Sequence, residues 1–271
     1  MIGYYIFGLV VAATGVGLFI VWLVKTNFGT KALEDAKLRQ NSMPDYLPLA
    51  VIFGWLGLYA AVSNLTENFT SKMPGWQQKF ISYSVLIAIN TIIAVFIILS
   101  ARRYFEAGLK GFGLRVKGIF RDIAMAAAMF IAVWPLVYVS LYIILLIGRI
   151  IVGPEFQMEQ NEGLTVILEY NQLSLRILMI FFAAVLIPIF EELVFRGLLQ
   201  NYMRNLNYGP WQSIFIISII FSVLHPLMHF PAILILSVCM GYAYEKSGSL
   251  LRSIFIHIFF NASTIALALL R

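Results

Sequence analysis

Hydrophobic and polar positions alternate along this chain on the scale of whole helices. Runs almost without charge recur at roughly 2–24, 47–63, 80–100, 123–148, 177–199, 211–225, 231–244 and 250–270. Charged and turn-forming residues gather between them, as in 25–39 and 101–122. A helix needs about 20 apolar residues to cross the hydrocarbon core of a bilayer. The pattern therefore predicts eight membrane spans, several of them short, with the last four closely linked. The run at 1–24 has neither a basic start nor a small-residue cleavage site, so it reads as a retained helix rather than a signal peptide.

Composition agrees with the pattern. The chain is 61% hydrophobic and 12% charged, with mean hydropathy +0.88. A soluble domain carries about twice that charged fraction. The expected fold class is all-α: a polytopic membrane helical bundle with an intramembrane cavity open to the cytoplasm. The net charge of +6 does not call for nucleic acid as a partner, because basic loops in such a chain encode orientation. Placing the basic loop 101–122 inside puts fourteen of the 19 Lys and Arg inside. Lys72, Lys79, Arg149, Arg176 and Arg271 remain outside, with the acidic loop 150–175. Both termini are then outside, and the Glu191–Arg196 end of the fifth span faces the cytoplasm. A lone cysteine, Cys239, allows no intrachain disulfide.

Ionisable residues inside spans mark function, and they concentrate in the last third of the chain. The fifth span holds Glu191, Glu192 and Arg196, the sixth ends in Phe221 and His225, and the eighth holds His257 and Asn261. Glu192 and Arg196 are four residues apart, so they share a helix face and can pair. Glu191 is turned about 100° away and is left for chemistry. His257 and Asn261 also share a face. A carboxylate, two imidazoles and an amide brought together can activate a water and stabilise an oxyanion. The same groups can instead hold a divalent metal with an open position. His229 stands four residues after His225 but across Pro226, which interrupts the helix. Phe221 reads as packing, and Asn261 alone reads equally as a helix-linking amide.

Taken in order, Glu191-Glu192-x-x-x-Arg196, Phe221-x-x-x-His225 and His257-x-x-x-Asn261 resemble the motifs of the CPBP family, also called the Abi or CAAX prenyl protease 2-like family. The stretch Gly241–Leu250 looks like the segment this family carries before its last motif. The resemblance covers about 181–265. It divides the chain into N-terminal helices with a basic cytoplasmic loop (1–122) and a CPBP-type core (123–271). It implies an intramembrane endopeptidase acting on a membrane-associated protein or peptide in a lipid environment. Glu191 would activate the attacking water with His225 assisting. His257 and Asn261 would bind the oxyanion, with Glu192, Arg196 and Phe221 in support. Two forms of the chemistry stay open: a Zn2+ ion held by Glu191, His225 and His257, or a metal-free glutamate mechanism. The expected location is a prokaryotic cell membrane. A non-catalytic membrane partner or bacteriocin self-immunity factor on the same fold is the alternative, and a proton-coupled transporter is a third reading.

Overall fold

The computed structural model describes residues 2–270, with side chains from Gly8 onward. Its helices in chain order are α1 (Ile2–Lys25), α2 (Tyr46–Thr70), α3 (Gly75–Tyr104), α4 (Gly108–Phe112), α5 (Ile119–Ile151) and α6 (Glu162–Glu169). They continue with α7 (Leu173–Asn205), α8 (Pro210–Val223), α9 (Phe230–Ser247) and α10 (Leu250–Leu269). No sheet forms among the described residues. Membrane-exposed backbone must satisfy its own hydrogen bonds, and helices do so within one segment. Large apolar side chains such as Ile92, Phe120 and Ile150 point outward from α3 and α5, as a lipid-facing surface requires.

Among the described residues seven helices, rather than the expected eight, are long and apolar enough to cross a membrane: α1, α2, α3, α5, α7, α9 and α10. The exception is α8, with 14 residues. At 1.5 Å per residue it reaches about 21 Å, short of the ~30 Å core. Both its ends are set by proline. Pro210 opens it after Gly209, whose N–H donates to Gln212 Oε1 at 2.8 Å. Pro226 disfavours helical backbone at His225, and the chain leaves the helix there.

The chain forms two compact units. The first comprises Met1–Leu38, Arg115–Glu159 and Met203–Ile256; the second comprises Arg39–Leu114, Gln160–Tyr202 and His257–Arg271. In the first unit α1 lies against α5. Pro135 has no N–H for the carbonyl four residues before it, that of Ile131. Gly15 fits at this point, where a Cβ would collide with the Ile131 carbonyl and the Pro135 ring. Small residues allow such close backbone approach between membrane helices.

The first unit also corrects one reading of the charges. Arg252 counts in the sequence as an inside-loop cation, yet it is buried in α10. Its Nη2 donates to Asp122 Oδ1 at 2.8 Å, while Ser249 Oγ donates to Asp122 Oδ2 at 2.6 Å. Arg196 is buried too. Both cations neutralise interior carboxylates and carry no information on orientation.

In the second unit α3 and α7 run parallel. Near their N-terminal ends Tyr83 and Phe182 meet edge to face, with ring centroids 5.7 Å apart. At the other end α3 leads into Phe105, which packs on Phe112 of α4, and Phe112 fills the space beside Gly197 of α7. The buried face of α3 presents Tyr83, Leu86, Asn90 and Ile97. Tyr83 and Leu86 join Val166, Ile167, Leu175, Met179, Phe182, Ala184 and Ile265 in one apolar cluster.

Candidate active site

The helix that carries the Glu pair is not a regular α-helix. It widens to a π-helix over Phe182–Leu186 and again over Leu193–Gln200, with an α segment, Ile187–Glu192, between. Pro188 accounts for the first widening. Its ring would press on the carbonyl four residues earlier, and the wider turn relieves that contact. In this register Ile187 N–H bonds to Phe182 O. The next donor in the series, for Ala183 O, would be the N–H that Pro188 lacks. Asn261 supplies it: Nδ2 donates to Ala183 O at 2.8 Å. The second π stretch ends in the same way. Asn201 N–H turns to Leu198 O, and Asn201 Nδ2 reaches Gly197 O at 2.7 Å and Arg196 O at 3.3 Å. π-helical turns within α-helices occur often at functional sites, and these two stretches flank the Glu pair.

The Glu192–Arg196 pair expected from the spacing is present. Arg196 Nη1 donates to Glu192 Oε1 at 2.6 Å, with both side chains almost fully buried. Glu192 has a second partner that spacing alone does not reveal. His257 Nδ1 lies 3.0 Å from the same oxygen. A carboxylate ion-paired to arginine only accepts, so Nδ1 carries a proton and donates. His257 Nε2 then faces Glu191, with Oε2 3.7 Å away. Glu191 keeps 14% of its side chain exposed, while His257 keeps 4%. One imidazole thus stands between a buried, ion-paired carboxylate and a more accessible one. The expectation that Glu192 merely braces Arg196 is widened, because it also orients His257.

His225 lies in the first unit. Its backbone N–H bonds to Ser222 O at 3.2 Å, which releases the carbonyl of Phe221. The His225 side chain takes up that carbonyl through Nδ1 at 2.8 Å, and its ring packs on Phe221 at 4.7 Å between centroids. This explains the Phe-x-x-x-His spacing: the histidine closes its own helix end. Since a carbonyl only accepts, Nδ1 holds the proton and Nε2 presents its lone pair. His229 follows on the turn Leu227–His229, where Nε2 donates to Glu159 O at 2.8 Å.

A catalytic zinc takes three protein ligands and a water. Among the described residues no group of three His, Cys, Asp or Glu is placed to hold a metal ion. In the second unit the reason is local. His257 gives Nδ1 to Glu192, and Glu192 is engaged by Arg196, which leaves Glu191 and His257 as a pair. Within the second unit, Glu191 and His257 supply two ligands where a catalytic zinc takes three.

Comparison with known proteins adds one positive finding. Residues 173–263 match the family model described as type II CAAX prenyl endopeptidase Rce1-like. This segment is Rce1-like. It carries all three motifs, and the match agrees with the CPBP resemblance of the sequence. No curated protein matches the chain, and no solved structure does. The apolar helices of the described residues indicate an integral membrane protein, and the matched segment is similar to a protease family.

The role of Pro188 in freeing Ala183 O yields a prediction. Asn261→Leu lowers the melting temperature, because a buried carbonyl loses its partner at a cost of about 1–3 kcal/mol. Pro188→Ala restores a backbone N–H in the position to bond Ala183 O. Asn261→Leu should then cost markedly less in the Pro188→Ala background, as a double-mutant cycle by thermal unfolding in detergent reads directly. Additive effects would contradict the assignment.

Proposed function

We propose that the protein is an intramembrane endopeptidase that hydrolyses a peptide bond of a membrane-associated protein or peptide close to the cytoplasmic face. The observation that supports this most is the imidazole of His257 held between Glu192 and Glu191 in an Rce1-like segment. Glu191 takes a proton from a water, and the water oxygen bonds to the scissile carbonyl carbon. The carbonyl oxygen becomes an oxyanion, stabilised by His257 in its imidazolium form, with Nδ1–H on Glu192 and Nε2–H on the oxyanion, and by the second Nδ2–H of Asn261. Collapse breaks the C–N bond, and the proton held on Glu191 passes to the leaving nitrogen. One water is consumed per bond cleaved. In this reading His225, with its Nε2 lone pair, is the assisting base that the resemblance assigns.

The orientation has support beyond charge counting. Because α3 and α7 run parallel, the basic stretch beginning at Arg102 and Arg103 lies at the same end of the second unit as Arg196. A cytoplasmic position for that end satisfies the positive-inside rule.

The test is cleavage by the purified protein in liposomes. An S-farnesylated peptide ending in a CaaX sequence and its unfarnesylated counterpart are offered, and fragments are followed by mass spectrometry. Release of the last three residues from the farnesylated peptide is expected. Equal cleavage of both keeps the protease and removes prenyl selectivity. Cleavage of neither by folded protein favours a non-catalytic membrane partner. Elemental analysis of the same sample should show no stoichiometric zinc. About one zinc per chain, lost in a His225→Ala, His257→Ala variant, would replace direct activation by Glu191 with metal-assisted hydrolysis.

A further inference from the structure

Two buried polar groups of the second unit have no protein partner, and both lie on helices outside the Rce1-like segment. Asn90 of α3 is 6% exposed, and neither its Nδ2 nor its Oδ1 is paired. The indole N–H of Trp55, on α2, is likewise buried and unpaired. An unpaired amide at mid-helix depth in a membrane span is costly, and such groups in native proteins call for an explanation.

Their placement supplies one. Asn90 follows Tyr83 by seven residues and Leu86 by four, so all three share one face of α3. Tyr83 touches Phe182 on that face. The helices run parallel, so seven residues along α7 from Phe182 is Ile189, and Asn90 stands at the level of the turn that carries Phe190 and Glu191. Trp55 reaches this turn from α2: its ring lies 5.1 Å from that of Phe190. The unpaired groups thus fall at the depth of the Glu191–His257 pair.

Building on the protease reading, we infer that Asn90 and Trp55 form a subsite for the main chain of the substrate beside the scissile bond. An Asn side chain offers one donor face and one acceptor face in a single plane. Those are the complements of a peptide C=O and N–H, and an extended peptide entering a bilayer must have both satisfied. The indole N–H adds a donor for a neighbouring carbonyl, and Phe190 holds that ring in place. Recognition of main chain imposes little side-chain selectivity. Binding here would align the peptide along α7 so that its scissile carbonyl meets Glu191.

The decisive variant is Asn90→Leu, which keeps the branched shape and removes both polar groups; Trp55→Phe removes the indole N–H and leaves a smaller ring. Removing a group with no protein partner should leave the melting temperature unchanged or higher. With the farnesylated CaaX peptide as probe, KM should rise about tenfold for Asn90→Leu, the effect of a lost peptide hydrogen bond, with kcat nearly unchanged. A lower melting temperature with unchanged KM would overturn the subsite and make Asn90 an interhelical link. An unchanged KM at any melting temperature overturns it as well. Failure of the wild type to cleave either peptide removes the protease reading and the subsite together. That result is separable from a working enzyme whose variants bind normally.

Discussion

Glu191→Gln should abolish peptide cleavage and leave the protein folded. Gln is isosteric but cannot accept the proton of the attacking water. Loss of a general base costs about a hundredfold to ten-thousandfold in rate. Little stability is at stake, because the nearest ring nitrogen to Glu191 is 3.7 Å away and the side chain keeps 14% exposure. Melting temperatures within a few degrees of wild type are expected, about 2–4 °C per kcal/mol for a chain of this size. Cleavage rate and thermal unfolding, read on one preparation, decide the matter. Full turnover by Glu191→Gln would remove Glu191 from its role.

The second large effect lies in the Glu192–Arg196 pair. Arg196→Ala leaves Glu192 charged and buried, with its guanidinium partner gone. Breaking a buried pair in this way costs about 3–5 kcal/mol, so a drop in melting temperature of roughly ten degrees is expected. Glu192→Gln weakens the hold on both Arg196 and His257, and both stability and rate should fall. A paired replacement, Glu192→Leu with Arg196→Met, separates the two roles. Removing both charges is far milder than removing one, so stability should largely return. Activity should not, because His257 Nδ1 then has no acceptor to orient it. Recovery of activity with stability would show that Glu192 serves the fold alone.

What the sequence discloses about this site follows from distance along the chain. Glu192 and Arg196 are one helical turn apart, so their pairing is legible from spacing. Their link to His257, 65 residues away, is not. Asn261 shows why a regular helical wheel misleads here. A 3.6-residue period gives it a place beside His257, yet its Nδ2 goes to Ala183 O. That carbonyl is released only because Pro188 forces a π register. The shortness of α8 was legible in the run 211–225 between Pro210 and Pro226, yet its apolar composition made it count as a span. Arg252 is a parallel case: beside a turn it looks solvated, and only its tertiary partner Asp122 reveals its burial. The seven long helices were the easiest part to read, because bilayer thickness imposes a length that composition alone displays.

Two side chains of α10 hydrogen-bond to α7 on either side of Glu191. Asn261 grips the helix at Ala183, ahead of Glu191, and His257 grips it at Glu192, just after. A helix held at one point can still roll about its axis; held at two, it cannot do so without breaking a bond. The stretch 183–192 is therefore torsionally locked to α10, although it contains a proline and a widened turn. The backbone that carries Glu191 is in place before any substrate arrives. Under the proposed protease function, backbone reorganisation that would otherwise add to the barrier of hydrolysis is already complete in the folded chain.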